Sequence, residues 1–133
     1  MMKRILLDTS VYSAFMRGLP AAVMAVRRAD EIKLNPVVLG ELHAGFRMGS
    51  RLVKNLALLS ELLSSPRVEV LPIDDETAPH YAEVFDYLKR MGTPIPTNDI
   101  WIAACALQHG LQVVTMDTHF SKITQIATLV LEP

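Results

Sequence analysis

A single cysteine, Cys105, stands in a chain of 133 residues. No internal disulfide is therefore available, and one thiolate cannot build a metal site by itself. Long apolar runs are missing too; none reaches the ~20 residues needed to cross a bilayer. The opening Met1-Met2-Lys3-Arg4-Ile5-Leu6-Leu7 has a basic flank but too few apolar residues before Asp8 for a secretory signal, so a cytoplasmic protein is expected. Repeats and low-complexity stretches are absent. Strong charge of one sign is lacking as well, with a formal net charge of −1, which by itself does not point to a nucleic-acid binder. What is plentiful is apolar surface. Half the residues are hydrophobic, enough for a packed core and too many for intrinsic disorder. The length fits one domain, residues 1–133.

Apolar runs alternate with helical patterns along the chain. Lys3 to Leu7 reads as a buried strand, followed by a helix from about Ser10 to Arg17. Pro20 opens a second helix that runs towards Asp30, and Glu31 to Leu34 is a short strand. Asn35-Pro36 predicts a helix start, with Asn as cap and Pro at the first helical position. Ser50 is the expected cap of the next helix, whose Leu52, Val53, Leu56, Leu59 and Leu63 read as a core face; the two helices form an αα-hairpin. Arg67 to Ile73 is predicted as a strand. Ala78, Tyr81, Ala82, Phe85 and Leu88 then mark one face of an amphipathic helix. A proline-rich loop follows, then an apolar helix capped by Thr97 or Asn98 and ending near Gly110. Strands are expected at Leu111 to Met116 and Thr128 to Leu131. This order predicts an α/β fold with a central parallel sheet flanked by helices.

Four acidic residues fall where strands end or helices begin: Asp8, Glu41, Asp99 and Asp117. Each sits in mostly apolar or small-residue sequence, as in Ile5-Leu6-Leu7-Asp8-Thr9-Ser10 and Val113-Val114-Thr115-Met116-Asp117. Unpartnered carboxylates are costly on the apolar side of an element. In a parallel sheet, sites form beyond the carboxyl ends of the strands, so all four acids are able to converge there. Two carboxylates ~4 Å apart repel by about 4 kcal/mol at an effective dielectric of 20. A divalent cation is the simplest partner for such a group, and Mg²⁺ takes oxygen ligands. A water activated by the cation then becomes the nucleophile of phosphodiester chemistry. Asp99, at the start of a helix, is expected to be ionised because the macrodipole favours an anion there. Of the 14 acidic residues, ten lie outside this group and face 13 basic ones, which leaves the rest of the chain mildly cationic and able to attract phosphate.

The segments Leu6-Leu7-Asp8-Thr9-Ser10, Gly40-Glu41-Leu42, Asn98-Asp99-Ile100-Trp101-Ile102-Ala103-Ala104 and Val114-Thr115-Met116-Asp117-Thr118-His119-Phe120 together resemble the PIN domain, in particular the VapC-type toxins of prokaryotic toxin–antitoxin pairs. The resemblance runs over almost the whole chain. It implies a PIN-like three-layer sandwich and a Mg²⁺- or Mn²⁺-dependent endoribonuclease acting on RNA of the tRNA or rRNA class. It also implies inhibition by a cognate antitoxin, a homodimer and a higher toxin–antitoxin assembly, with no membrane partner. Carried over by position, Asp8, Glu41, Asp99 and Asp117 are the catalytic quartet and Asp8, Asp99 and Asp117 the metal ligands. Ser10 and Thr115 support them by hydrogen bonding.

Other readings are available for the same residues. Asp8 and Asp99 suit helix caps, Asp117 a turn, and Glu41 a solvated helix position. His43, His80, His109 and His119 are the residues a metal-free ribonuclease would need, but their contexts are scattered, and structural or surface roles are expected. Cys105 reads as a buried small hydrophobe. A phosphoacceptor receiver domain would want an acidic pair after its first strand and a lysine near the chain end, and a haloacid-dehalogenase-like phosphatase an aspartate at position 10, where Ser10 stands. A catalytically weak PIN domain that only binds RNA or a partner is the non-enzymatic alternative.

Overall fold

The computed structural model describes residues 2–133. Strand β1 (Arg4–Leu7) opens the chain and leads into helices α1 (Thr9–Met16) and α2 (Pro20–Arg28), then strand β2 (Glu31–Leu34). Helices α3 (Pro36–Met48) and α4 (Leu52–Leu63) pack together as a hairpin before strand β3 (Val68–Val70). Helices α5 (Ala78–Met91) and α6 (Thr97–His109) precede strand β4 (Gln112–Thr115), a 3₁₀ turn at Thr118–Lys122, and strand β5 (Ala127–Val130). The strands form one sheet in the order β3-β2-β1-β4-β5, with every neighbouring pair parallel.

That order fixes where a site can form. From β1 the chain winds outward through β2 to β3, then returns through α5 and α6 to place β4 on the other side of β1. The winding reverses between β1 and β4, and ligands in such sheets sit beyond the strand ends at this reversal. Asp8 directly follows β1, and Asp117 lies two residues beyond β4.

Burial explains the strands. Ile5, Leu6 and Leu7 are buried on both faces of β1, as are Val113 and Val114 of β4, the continuous apolar pattern of covered parallel strands. Helix α6 is buried almost all round, through Ile100 and Ile102 to Ala106, which makes it a core element. Its alanines admit close approach to its neighbours. Gly92 and Gly110, with φ of 67° and 63°, end α5 and α6 in the left-handed conformation that glycine adopts without strain. Arg67 closes the end of α2 by donating from Nη1 to the carbonyls of Val26 and Ala29. In β2, buried Lys33 bridges Glu31 at 2.9 Å and Glu69 of β3 at 2.8 Å.

The Asn35 cap is as expected: its Oδ1 accepts from the Val38 amide at 3.0 Å. Several other expectations need correction. Arg51, not Ser50, occupies the N-cap position of α4, and no side chain caps that helix. Only Leu59 of its apolar face is buried, while Val53 is 81% exposed; the sheet reaches no further than the helix's second half. β3 stops at Val70 instead of Ile73 because Pro72 has no amide to extend the ladder. On α5 the inward stripe is buried Val84 and Leu88 with half-buried Tyr81, and Ala78, Ala82 and Phe85 are exposed. The ring of Tyr81 lies 4.2 Å from that of Trp101 on α6, which sets the rotation of the helix.

Candidate active site

Asp8 is held by hydroxyls. It occupies the N-cap position of α1 yet makes no cap hydrogen bond. Instead its Oδ2 accepts from Thr115 Oγ1 at 2.7 Å and from Ser10 Oγ at 3.0 Å. Thr115 is fully buried at the end of β4 and its Oγ1 also accepts from the Asp117 amide at 2.9 Å. Ser10 Oγ likewise accepts from the Met116 amide at 3.1 Å. The two hydroxyls thus stitch β1 to the turn after β4 and aim Asp8 at the reversal point. Thr115→Val keeps the shape and removes the hydroxyl. Loss of an orienting partner of this kind is worth about 10–100-fold, and a fall of that size in kcat is the expected result, together with a lower melting temperature because the Asp117 amide loses its acceptor, read by RNA cleavage and thermal melting.

Asp117 serves two partners. Its Oδ1 caps the 3₁₀ turn by accepting from the His119 amide at 2.8 Å, so the turn reading of this residue holds as well. Its Oδ2 lies 3.1 Å from His119 Nδ1. The same nitrogen stands 3.4 Å from Asp99 Oδ2, and the ligand atoms of Asp99, Asp117 and His119 lie within 4.8 Å of one another. The buried ring of Phe120 anchors this turn to the core.

Glu41 reaches in from the second turn of α3. Thr9 Oγ1 donates to its Oε1 at 2.7 Å, and Asn98 Nδ2 to its Oε2 at 3.4 Å. Asn98 is free to do so because neither it nor Thr97 caps α6; Pro96 holds that position, and its carbonyl accepts from the Asp99 and Ile100 amides.

The electrostatics follow from this crowding. Burial raises the pKa of Asp8, and the nearby Glu41 charge adds to that, while the Thr115 and Ser10 hydroxyls pull the other way. Burial, with Asp8 and Asp117 alongside, pushes Asp99 up to about 6 despite the His119 contact. Desolvation outweighs the helix macrodipole, so Asp99 keeps its proton to higher pH than its position alone suggests and is mostly ionised at neutral pH. Carboxylates driven upward together, with an imidazole beside them, have the donor chemistry of a divalent-cation site.

All four acids are thus gathered at one end of the sheet, with Ser10 and Thr115 behind Asp8. The sequence reading missed three participants. His119 reads as a surface histidine, yet it faces Asp99 and Asp117; its spacing two residues after Asp117 was the available signal. Thr9 and Asn98, each adjacent to one of the acids in sequence, orient Glu41. The other histidines are elsewhere: His80 lies beside Glu83, and the His109 carbonyl accepts from Arg4.

The chain is a doubly wound parallel sheet with acids gathered at its reversal point, and it belongs to the PIN domain family, whose model matches residues 5–126. Among its relatives, ribonuclease VapC5 of Mycobacterium tuberculosis is 32% identical over 125 residues, covering 92% of this chain and 90% of the relative. The crystal structure of DNA-bound VapBC from Salmonella typhimurium superposes with a TM-score of 0.84 at 27% identity, covering 97% of this chain and 98% of the other. That of FitAcB from Neisseria gonorrhoeae gives a TM-score of 0.78 at 32% identity, covering 94% and 96%.

Proposed function

We propose that this protein is an endoribonuclease toxin of a toxin–antitoxin pair, hydrolysing RNA phosphodiester bonds and inhibited by a cognate antitoxin. One observation carries the reading. Asp8, Glu41, Asp99 and Asp117, distant in sequence, are brought to one end of the sheet, with Asp8, Glu41 and Asp117 held by hydrogen bonds and Asp99 set against His119. The ribonuclease name of VapC5 and the toxin–antitoxin system named for the VapBC-5 structure from Mycobacterium tuberculosis support the same assignment. A binding-only module has no need of such arranged acids, whose mutual repulsion and burial cost stability.

Asp8, Asp99 and Asp117 are the residues assigned to hold a Mg²⁺ or Mn²⁺ ion, and the raised Asp99 carboxyl beside Asp117 and His119 fits that donor role. When bound, the cation activates a water and stabilises charge on the phosphoryl oxygens. The chain does the rest. Thr115 and Ser10 fix the Asp8 carboxylate, and Thr9 and Asn98 orient Glu41, which would take the proton an attacking water gives up. Asp117 shapes the turn that completes the site. Assembly as a homodimer, and with antitoxin into a larger complex, belongs to the same proposal.

Purified protein freed of antitoxin, incubated with total cellular RNA, is the test. Discrete cuts with Mg²⁺ or Mn²⁺ and none in EDTA are expected. Cutting that survives EDTA would contradict the metal assignment, and absence of cutting in any condition would favour the binding module.

A further inference from the structure

A cavity of about 360 Å³ adjoins the acidic site, with Thr9 and Glu41 at its mouth, and runs between α1, α3 and α4. We propose that it is a nucleobase subsite, receiving the unpaired base next to the scissile phosphate of the RNA strand. The inference rests on the ribonuclease reading and specifies how that site selects its substrate.

Three observations carry it. First, the cavity adjoins the acids, because Thr9 and Glu41, joined by the hydrogen bond that orients Glu41, both line it. An occupant there is therefore adjacent to whatever is being cut. Second, it contains hydrogen-bonding groups that the fold does not use. Tyr12 is buried through its ring, and its hydroxyl, in the cavity wall, makes no side-chain hydrogen bond among the described residues. The Asn55 amide and the Ser13 hydroxyl, also in its walls, make no side-chain hydrogen bond among the described residues. These groups are open to an occupant of the cavity, and an amide with both donor and acceptor matches a base edge. Third, the remaining surface suits a flat ring. Phe46 lines the cavity, fixed edge-on by His43 at 6.1 Å, and aromatic faces stack unpaired bases. Arg17, at the same cavity and without an ion-pair partner among the described residues, is placed for a flanking phosphate.

Gly45 provides a clean probe. It lines the cavity from α3, and a Cβ built on it meets nothing within 4 Å. The Cβ of Gly45→Leu therefore enters open space, the rest of its side chain is expected to occupy the cavity, and it replaces a poor helix former with a good one. Asn55→Ala removes the amide alone. The substrate is a randomised single-stranded RNA 12-mer, cut in the presence of metal and sequenced at its new ends. The wild-type protein is expected to favour one base at a fixed position beside the cut by about tenfold or more, the size a paired base edge supplies. Both variants are expected to collapse that ratio to less than about threefold. In EDTA, where the labelled pool remains uncut, Gly45→Leu is expected to weaken binding about tenfold, measured by fluorescence anisotropy.

An unchanged base ratio in both variants would overturn the subsite, as would an equal loss across all sequences. Loss confined to antitoxin capture would assign the cavity to a protein segment instead, also overturning it. Metal-dependent cutting with no effect of either variant leaves the ribonuclease reading standing and removes the subsite. Weakened binding in Gly45→Leu without any wild-type cutting does the reverse.

Discussion

Asp99→Asn, and separately Asp8→Asn, is expected to reduce RNA cleavage by at least about 10³-fold, a barrier increase of about 4 kcal/mol. Growth arrest on expression should be relieved in parallel. Both substitutions keep the side-chain shape and remove the charge that a cation and a developing proton acceptor require. Asp8 is the more sharply placed of the two, with a single carboxylate oxygen taking the Thr115 and Ser10 hydroxyls. Asp99 is the more perturbed, raised to about 6 by burial and by its acidic neighbours. The fold should survive in each variant, as circular dichroism would report. Undiminished cleavage by both would remove these acids from the chemistry.

The same crowding has a thermodynamic consequence opposite in sign. The Asp99 carboxyl has a reference value of 3.8 and lies near 6 in the folded protein, so between these pH values the folded state holds a proton that the unfolded state has released. Stability therefore falls as pH rises through that window. With solvent screening of a partly open site allowed for, the penalty at neutral pH is on the order of 1–2 kcal/mol. Metal-free Asp99→Asn is thus expected to melt about 5 °C above the wild-type protein at pH 7.5, with the gap closing towards pH 4. Added Mg²⁺ or Mn²⁺ should raise the wild-type melting temperature more at pH 7.5 than at pH 5, because at the lower pH the ion competes with the Asp99 proton. Differential scanning calorimetry of the two proteins across this range provides the check. A wild type that melts higher than the variant at pH 7.5 without metal would show that the acids are compensated from within the fold.

Much of this was legible in the sequence, for identifiable reasons. The continuous apolar runs around Leu6 and Val113 mark strands covered on both faces, and Asn35-Pro36 marks a helix start by its chemistry alone. The four acids stood out because each interrupts apolar sequence, Asp8, Asp99 and Asp117 near element boundaries and Glu41 one turn into α3. What local pattern could not reveal depends on tertiary neighbours. Tyr81 meeting Trp101 rotates α5, so Phe85 faces outward while Val84 is buried. The leucines of α4 read as core, yet the small sheet covers little more than Leu59. His119 looked like one of several scattered histidines because its role exists only once the turn after β4 brings it against α6. Asp99 at a helix start suggested a stabilised anion, and only the packed structure shows that burial prevails.

His119 also sharpens the central question. An imidazole beside a scissile phosphate is what metal-free ribonucleases use, in which the RNA 2′-hydroxyl attacks and histidines move the protons. The chemistry of the new ends separates the two mechanisms directly. Cleaved RNA should be split into aliquots and treated with an exonuclease that requires a 5′-phosphate. Hydrolysis by a metal-activated water leaves 5′-phosphate and 3′-hydroxyl ends, so the downstream fragments are expected to be degraded, and no fragments should form in EDTA. Fragments that resist the exonuclease, carry 2′,3′-cyclic phosphate on the upstream side, persist in EDTA and vanish in His119→Ala would contradict the acid-centred account.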